Sequence, residues 1–377
     1  MRRLIAASLV VFAVLAVFLA TVASCGGTRA STPPSDAGPD AVVVAEAGAE
    51  TGSSVDASDA SDASSDAHDA AVEATVIPGT NFAFRHYYLG DTDRMGTMSS
   101  AAWSSFGANI DGKITTAAST DVCTLTAGAS KQTQADGAGG IDNSWGANIL
   151  PIFLTIFGST FSTSYNDAVA AGDFTTMIDV TGLSDSGTQT GSAPGWGFAG
   201  SNLGHPPTWT VADDWPVYPD WLNDGGLASG SQIAFPGATI TAGAWSSGTP
   251  TVLPIEIGFS GVGVDLVLHD ATVSFLHATP TTTAGGTVSG VLFTQELLTT
   301  LQDASGWLTM ALCSGSAFQS IAQQIEQAQD IMHDGTNVAG QSCDAISIGI
   351  GFDGVQIGPV DRVDFPQGQL PNICPDQ

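Results

Sequence analysis

Residues 346–352, Ile346-Ser347-Ile348-Gly349-Ile350-Gly351-Phe352, place a large apolar side chain at every second position with serine or glycine between. Side chains alternate faces along an extended chain, so this period of two predicts a strand with one face in a core and the other open. Val262, Val264, Leu266 and Leu268 repeat the pattern, a turn is expected at His269-Asp270, and a second run follows from Thr272 to Ala278. A turn-rich stretch from Thr279 to Gly286 then leads into another strand through Leu292, which reads as an antiparallel meander. Further strands are expected over 175–181, 232–235 and 251–259. Short alternating strands with Gly-, Pro- and Thr-rich turns predict a mainly β fold, an antiparallel β-sandwich of jelly-roll type with two to four short helices packed on it.

Three helices interrupt the strands. Phe318, Ile321, Ile325, Ala328 and Met332 recur at helical spacing, and Ser316 with Gln319 forms a capping-box start. Ile149 to Phe157 is a second apolar run, with Pro151 tolerated only in a first turn. Thr294 caps a third that carries Leu297, Leu298 and Leu301.

At the other end of the chain, Arg2 and Arg3 precede an uncharged run from Leu4 to Ala20 and then Val22-Ala23-Ser24-Cys25. A basic start, an apolar stretch and small residues before a cysteine predict a signal peptide over 1–24 that ends in a lipobox. Lipidation of Cys25 would fasten the mature chain to a bilayer, because several acyl chains hold where one binds marginally. Gly26 in place of Asp points to the outer membrane, on its periplasmic face or at the cell surface. From 25 to 75 the chain is Ala, Ser, Asp, Pro and Gly, including a near-repeat over 56–64, and it cannot bury enough surface to offset its ordering entropy. It is expected to be a solvated acidic tether of about 40 Å, carrying a folded domain over 76–377.

The formal net charge of the chain is −29, and residues 76–377 hold 27 acidic against five basic side chains, a balance of −22. Phosphate backbones would be repelled, which excludes nucleic acid and favours a cationic partner or a divalent metal. Besides Cys25, four cysteines remain: Cys123, Cys313, Cys343 and Cys374. Export to an oxidising compartment predicts two disulfides among them. Of the three pairings, Cys313–Cys343 is favoured because one helix and a turn would return the chain to its start, leaving Cys123–Cys374. No CxxC pair suggests zinc.

Two stretches carry candidate chemistry. Asp136, Asp142 and Asn143 lie in the loop 136–143, downstream of Ile110-Asp111-Gly112-Lys113, and clustered Asp and Asn oxygens among glycines suit Ca²⁺. Turn chemistry and a helix-start carboxylate at Asp142 explain the same residues without a metal. Trp209, Trp215 and Trp221 stand with Asp213 and Asp214 in a stretch that also holds Trp196, Tyr218, Asp220 and Asp224, the composition of a saccharide platform. The competing reading is a long loop anchored by its aromatics. Gly258-Phe259-Ser260-Gly261 lacks the second glycine of a nucleophile elbow, because Val262 stands there. Asp213 with Asp214, or Asp220 with Asp224, offers the paired carboxylates of a glycosidase. His269 and His277, in neighbouring strands, are the imidazoles that would approach a metal.

Lipobox, Asp/Ala/Ser tether, Ile110-Asp111-Gly112-Lys113, Cys123, the stretch 136–144 and a β-rich remainder together resemble secreted lipoproteins of the kind found in myxobacteria. The resemblance implies an envelope location and carries no activity. The expected function is therefore a non-catalytic β domain that binds a saccharide or an envelope partner protein, with no catalytic residue assigned and no cofactor required. The alternative is a secreted glycan-active hydrolase using paired Asp residues.

Overall fold

The computed structural model describes residues 79–159, 161–259, 262–308 and 315–364. Signal, Cys25, tether, Cys313 and Cys374 lie outside them. The described residues form eleven strands: β1 (Thr80–Tyr88), β2 (Thr175–Val180), β3 (Gly191–Ser192), β4 (Gly195–Gly200), β5 (Ile233–Phe235), β6 (Thr239–Thr241), β7 (Ala244–Ser246), β8 (Thr251–Phe259), β9 (Val262–Thr279), β10 (Thr282–Phe293) and β11 (Ala345–Gln356). Four α-helices accompany them, α1 (Leu150–Phe157), α2 (Phe161–Ala171), α3 (Thr294–Leu308) and α4 (Ser316–Glu326).

All strand pairs are antiparallel, in the order β3-β6-β7-β9-β10-β11-β1-β2-β4-β5, with β8 on the free part of β9. Mainly β architecture is as expected, but the strands form one curled sheet where a two-sheet sandwich was expected. The reason is visible at the two ends of the order. β3 runs through Ala193-Pro194 into β4, and β5 runs through 236–238 into β6. The ladders β3·β6 and β4·β5 are thus two pieces of one ribbon, bridged by Ala193 N–H to Ala238 O at 3.0 Å. The sheet curls because its last strands are covalent continuations of each other.

Curling gives the sheet a concave apolar interior. Phe84 stacks on Phe352 at 3.6 Å, Trp245 on Phe275 at 4.9 Å, and Ile178, Val180, Ile348 and Ile350 join the same buried cluster. The other side is covered by loops. Ala83, Met177, Phe198, Trp215, Val217, Ile357 and Val360 form a second cluster there.

Several local expectations shift. No turn interrupts 262–279: the region is one strand of 18 residues, and Asp270, at φ 47°, sits where the registers with both neighbours slip, which marks a bulge. The β9–β10 hairpin closes at once, with Thr279 opposite Thr282, so the expected long turn is mostly strand. α1 begins with proline in its first turn as expected, preceded by a π-turn over Trp145–Ile149. α4 starts after Gly315 without a side-chain cap and ends at Glu326, so Ala328 and Met332 extend beyond the helix.

The largest departure is in β11. Ile346, Ile348, Ile350 and Phe352 face the interior as read, yet Ser347 and Gly349 on the opposite face are buried as well. A Cβ at Gly349 would fall 2.3 Å from the Phe106 carbonyl, and one at Gly351 would fall 2.5 Å from the Phe106 ring. Small residues here make room for a second layer.

Candidate functional site

That second layer is a pair of loops, 89–144 and 327–344, laid over the outward face of β11. The Cys123–Cys343 disulfide ties them, with Cα atoms 5.2 Å apart across 220 residues. The expected Cys313–Cys343 bridge is therefore corrected, and with it the pairing of Cys123 with Cys374. Sequence proximity favoured Cys313, but β11 carries Cys343 to the loop that holds Cys123. Thr124 N–H donates to Gln341 O at 2.7 Å and Cys343 N–H to Thr124 O at 3.0 Å, so a short parallel ladder flanks the bridge.

Beneath the loops runs a buried polar network. Asn143 engages five backbone groups: the two Nδ2 hydrogens are shared among Trp103 O, Phe106 O and Gly349 O, and Oδ1 accepts from Gly146 N–H and Gly349 N–H. β1 stops pairing with β11 at Gly351, so the Asn143 amide continues the ladder where the neighbouring strand ends. Ser144 receives the next contact, its N–H donating to Ser347 Oγ at 2.8 Å, and Ser347 donates both N–H and Oγ–H to Asp330. All of these groups are buried, and their mutual satisfaction is what makes the burial tolerable.

Asp142 and Asp136 meet at the rim of this network, whereas Asn143 is turned away from them and committed to backbone. The proposed Asp136, Asp142, Asn143 ligand set is thus not assembled. Asp142 Oδ2 accepts Ile110 N–H at 2.6 Å, and Asp136 accepts the Thr115 N–H and hydroxyl, both at 2.5 Å. Burial, then the negative charges of Asp111 and Asp330, push the Asp142 carboxyl up to about 8. Burial also raises Asp330 to about 7 against the opposing bonds from Ser347, and it raises Asp136. Asp142, with Asp136 among the charges that raise it, therefore holds a proton near neutral pH. Among the described residues no group of three or more His, Cys, Asp or Glu side chains is placed to hold a metal.

The outer surface of the loop pair is acidic with apolar points. Ile114 is 73 % exposed and Val338 47 %. They are linked through Lys113, whose Nζ donates to Asn337 O at 2.6 Å and to Asp121 O, beside the Asp121 carboxylate at 3.5 Å. Asp334, Asp344 and His333 follow on the second loop. His333 Nδ1 lies 2.9 Å from Asp344 Oδ2, and that hydrogen bond and charge raise the imidazole's pKa. Sequence spacing did not predict this arrangement, since the 344-side partner arrives only through the loop's return to β11.

His269 and His277 do not converge. They are eight positions apart on β9, roughly 26 Å of strand. His277 is buried with its ring 5.8 Å from Phe82, while His269 stacks on Phe293 at 3.5 Å and meets Glu296 at 2.7 Å. A small cleft lined by Val267, Phe293, Glu296 and Thr300 adjoins that pair.

The Trp and Asp stretch lies on the sheet's other covered region. Trp215 is fully buried and packs 6.2 Å from Trp209, while Trp209 and Trp221 are partly buried against the cores. Burial pushes the Asp213 carboxyl up, but bonds from Thr208 N–H and hydroxyl and from Thr210 N–H outweigh it and hold it low. Asp214 turns instead toward Asp361 and Arg362: burial first, then a hydrogen bond with Asp361, raises it to about 6. Asp213 is thus held by its own loop and Asp214 faces Arg362, so the two carboxyls are committed to different partners. Asp220 and Asp224 are exposed in separate 3₁₀ turns.

Among the described residues no helix is long and apolar enough to cross a membrane. No protein family matches the sequence, and neither a curated protein nor a solved structure is similar to it.

Proposed function

We propose that this chain is an exported lipoprotein, anchored through Cys25, whose tethered domain binds a cationic partner protein without catalysing a reaction. The observation that carries this reading is the Cys123–Cys343 disulfide. A long-range bridge between two loops supports an oxidising compartment, and it holds in one place the acidic face that bears Ile114, Val338, Asp334 and Asp344. Exposed apolar side chains ringed by carboxylates suit a partner with a basic rim and an apolar contact. Of the two ligand classes, protein is favoured over saccharide because Trp215 is spent in the core and Asp213 in its own loop.

The test is binding of the immobilised domain to envelope proteins of its own cell, compared with an Ile114→Ser, Val338→Ser, Asp334→Asn variant of unchanged melting temperature. Selective loss of a partner by the variant, and by the native domain in high salt, supports the reading. A partner retained equally by both proteins refutes it. Palmitate-analogue labelling that fails to mark Cys25 removes the anchoring part.

A further inference from the structure

Asp179, in the middle of the sheet, has no charged partner. On β2 it follows Met177 on the face away from the concave core, with Asn81 of β1 opposite on one side and Trp196 of β4 on the other. It is 0 % exposed, and neither carboxyl oxygen receives a hydrogen bond. Asn81 Oδ1, on the cross-strand partner, and Thr181 Oγ1, two positions along the chain, are buried and unpartnered too. Neither cross-strand neighbour is titratable, and the segment packed behind Asn81 contributes Ile357, whose N–H donates to Asn81 O. The fourth wall is Gly79: a Cβ there would fall 2.0 Å from Asp179 Oδ2, so the carboxyl lies against the glycine α-carbon.

Such an enclosure discriminates between the two forms of the acid. A carboxylate would be a buried charge with no hydrogen bond to either oxygen, which costs several kcal/mol. A neutral acid carries an O–H, and Asn81, its partner in the ladder, has a buried Oδ1 without a donor, so one proton can relieve two orphan oxygens together. We propose that Asp179 is a proton-operated clasp: as the neutral acid it seats Gly79–Asn81 on β2, and its ionisation frees the end of β1 at which the N-terminal segment joins the sheet. Thr80–Val180 and Asn81–Asp179 are the terminal rungs of the β1·β2 ladder, and breaking them is the shortest path by which water reaches the carboxyl. Burial alone raises the group to about 7, which puts the transition in the neutral range.

Hydrogen exchange of the full chain between pH 5.5 and 8.5, corrected for intrinsic rates and referenced to Ile348 and Ile350, tests the clasp. Protection at Thr80–Ala83 should fall at least tenfold across this range in the native protein and stay level in Asp179→Asn. Equal pH dependence in both proteins, or level protection in the native one, overturns the proposal. Should Asp179→Asn not fold, the Asp179 carboxyl ¹³C resonance of the native chain decides. A midpoint near 7 that tracks loss of protection at Asn81 supports the clasp, and a midpoint near 4, or no such coupling, refutes it.

Discussion

Asn143 and Gly349, 206 residues apart, are joined by two antiparallel hydrogen bonds, Gly349 N–H to Asn143 Oδ1 at 3.0 Å and Asn143 Nδ2 to Gly349 O at 2.9 Å. A side-chain amide here does the work of a strand. It satisfies backbone that β1 no longer reaches and fastens the long first loop to β11.

Removing that amide should therefore loosen the loop layer. Asn143→Ala leaves buried Gly349 N–H and O without partners and is expected to cost about 2–4 kcal/mol in urea unfolding. Asn143→Asp should not rescue it, because a carboxylate would face the carbonyls of Trp103, Phe106 and Gly349. Full rescue by Asp would show that the amide donor is dispensable.

Peptide mapping under non-reducing conditions should recover Cys123 linked to Cys343. Replacing both by serine is expected to lower stability by about 5 kcal/mol, the order of the loop-entropy value for a closed loop of 220 residues. A Cys313–Cys343 peptide, or unchanged denaturant midpoints, would contradict the structure.

Acid should stabilise this domain. Asp142 and Asp330 have folded pKa values of about 8 and 7, above the ~3.9 of an unfolded Asp. Between about pH 4 and 8 the unfolded chain binds fewer protons than the folded one, so unfolding free energy falls as pH rises. The contribution is fully present below about pH 4 and lost by about pH 8. Asp142→Asn should flatten the profile in denaturant titrations at stepped pH; an unchanged slope would show that its carboxyl is not held protonated.

Trp215→Ala should behave as a core deletion, costing about 3–5 kcal/mol. Trp221→Ala, partly buried, should cost less. If thermal melts show Trp215→Ala as stable as the native domain, its ring is not part of the packed cluster.

Much of the fold was legible in the sequence because period-two alternation reports directly which strand residues face a core. Ile346 to Phe352, Thr175 to Val180 and Thr251 to Phe259 became strands, and a helix begins at Thr294, the residue read as its cap. Alternation is silent about the other face: Ser347 and Gly349 look solvent-facing by composition, yet their small size is what admits a covering loop. It is equally silent about ladder closure, since the β3/β4 and β5/β6 ribbon depends on which distant strands share hydrogen bonds.

Site residues divide in the same way. Composition alone dictated a domain 22 charges negative. Tertiary structure chose Cys123 over Cys313 for Cys343, sent Asn143 to β11 while Asp136 met Asp142, and buried Trp215 and Asp179. Local propensity acts over a few residues, but desolvation and hydrogen-bond partners are set by segments that lie hundreds of residues away, and only packing brings those together.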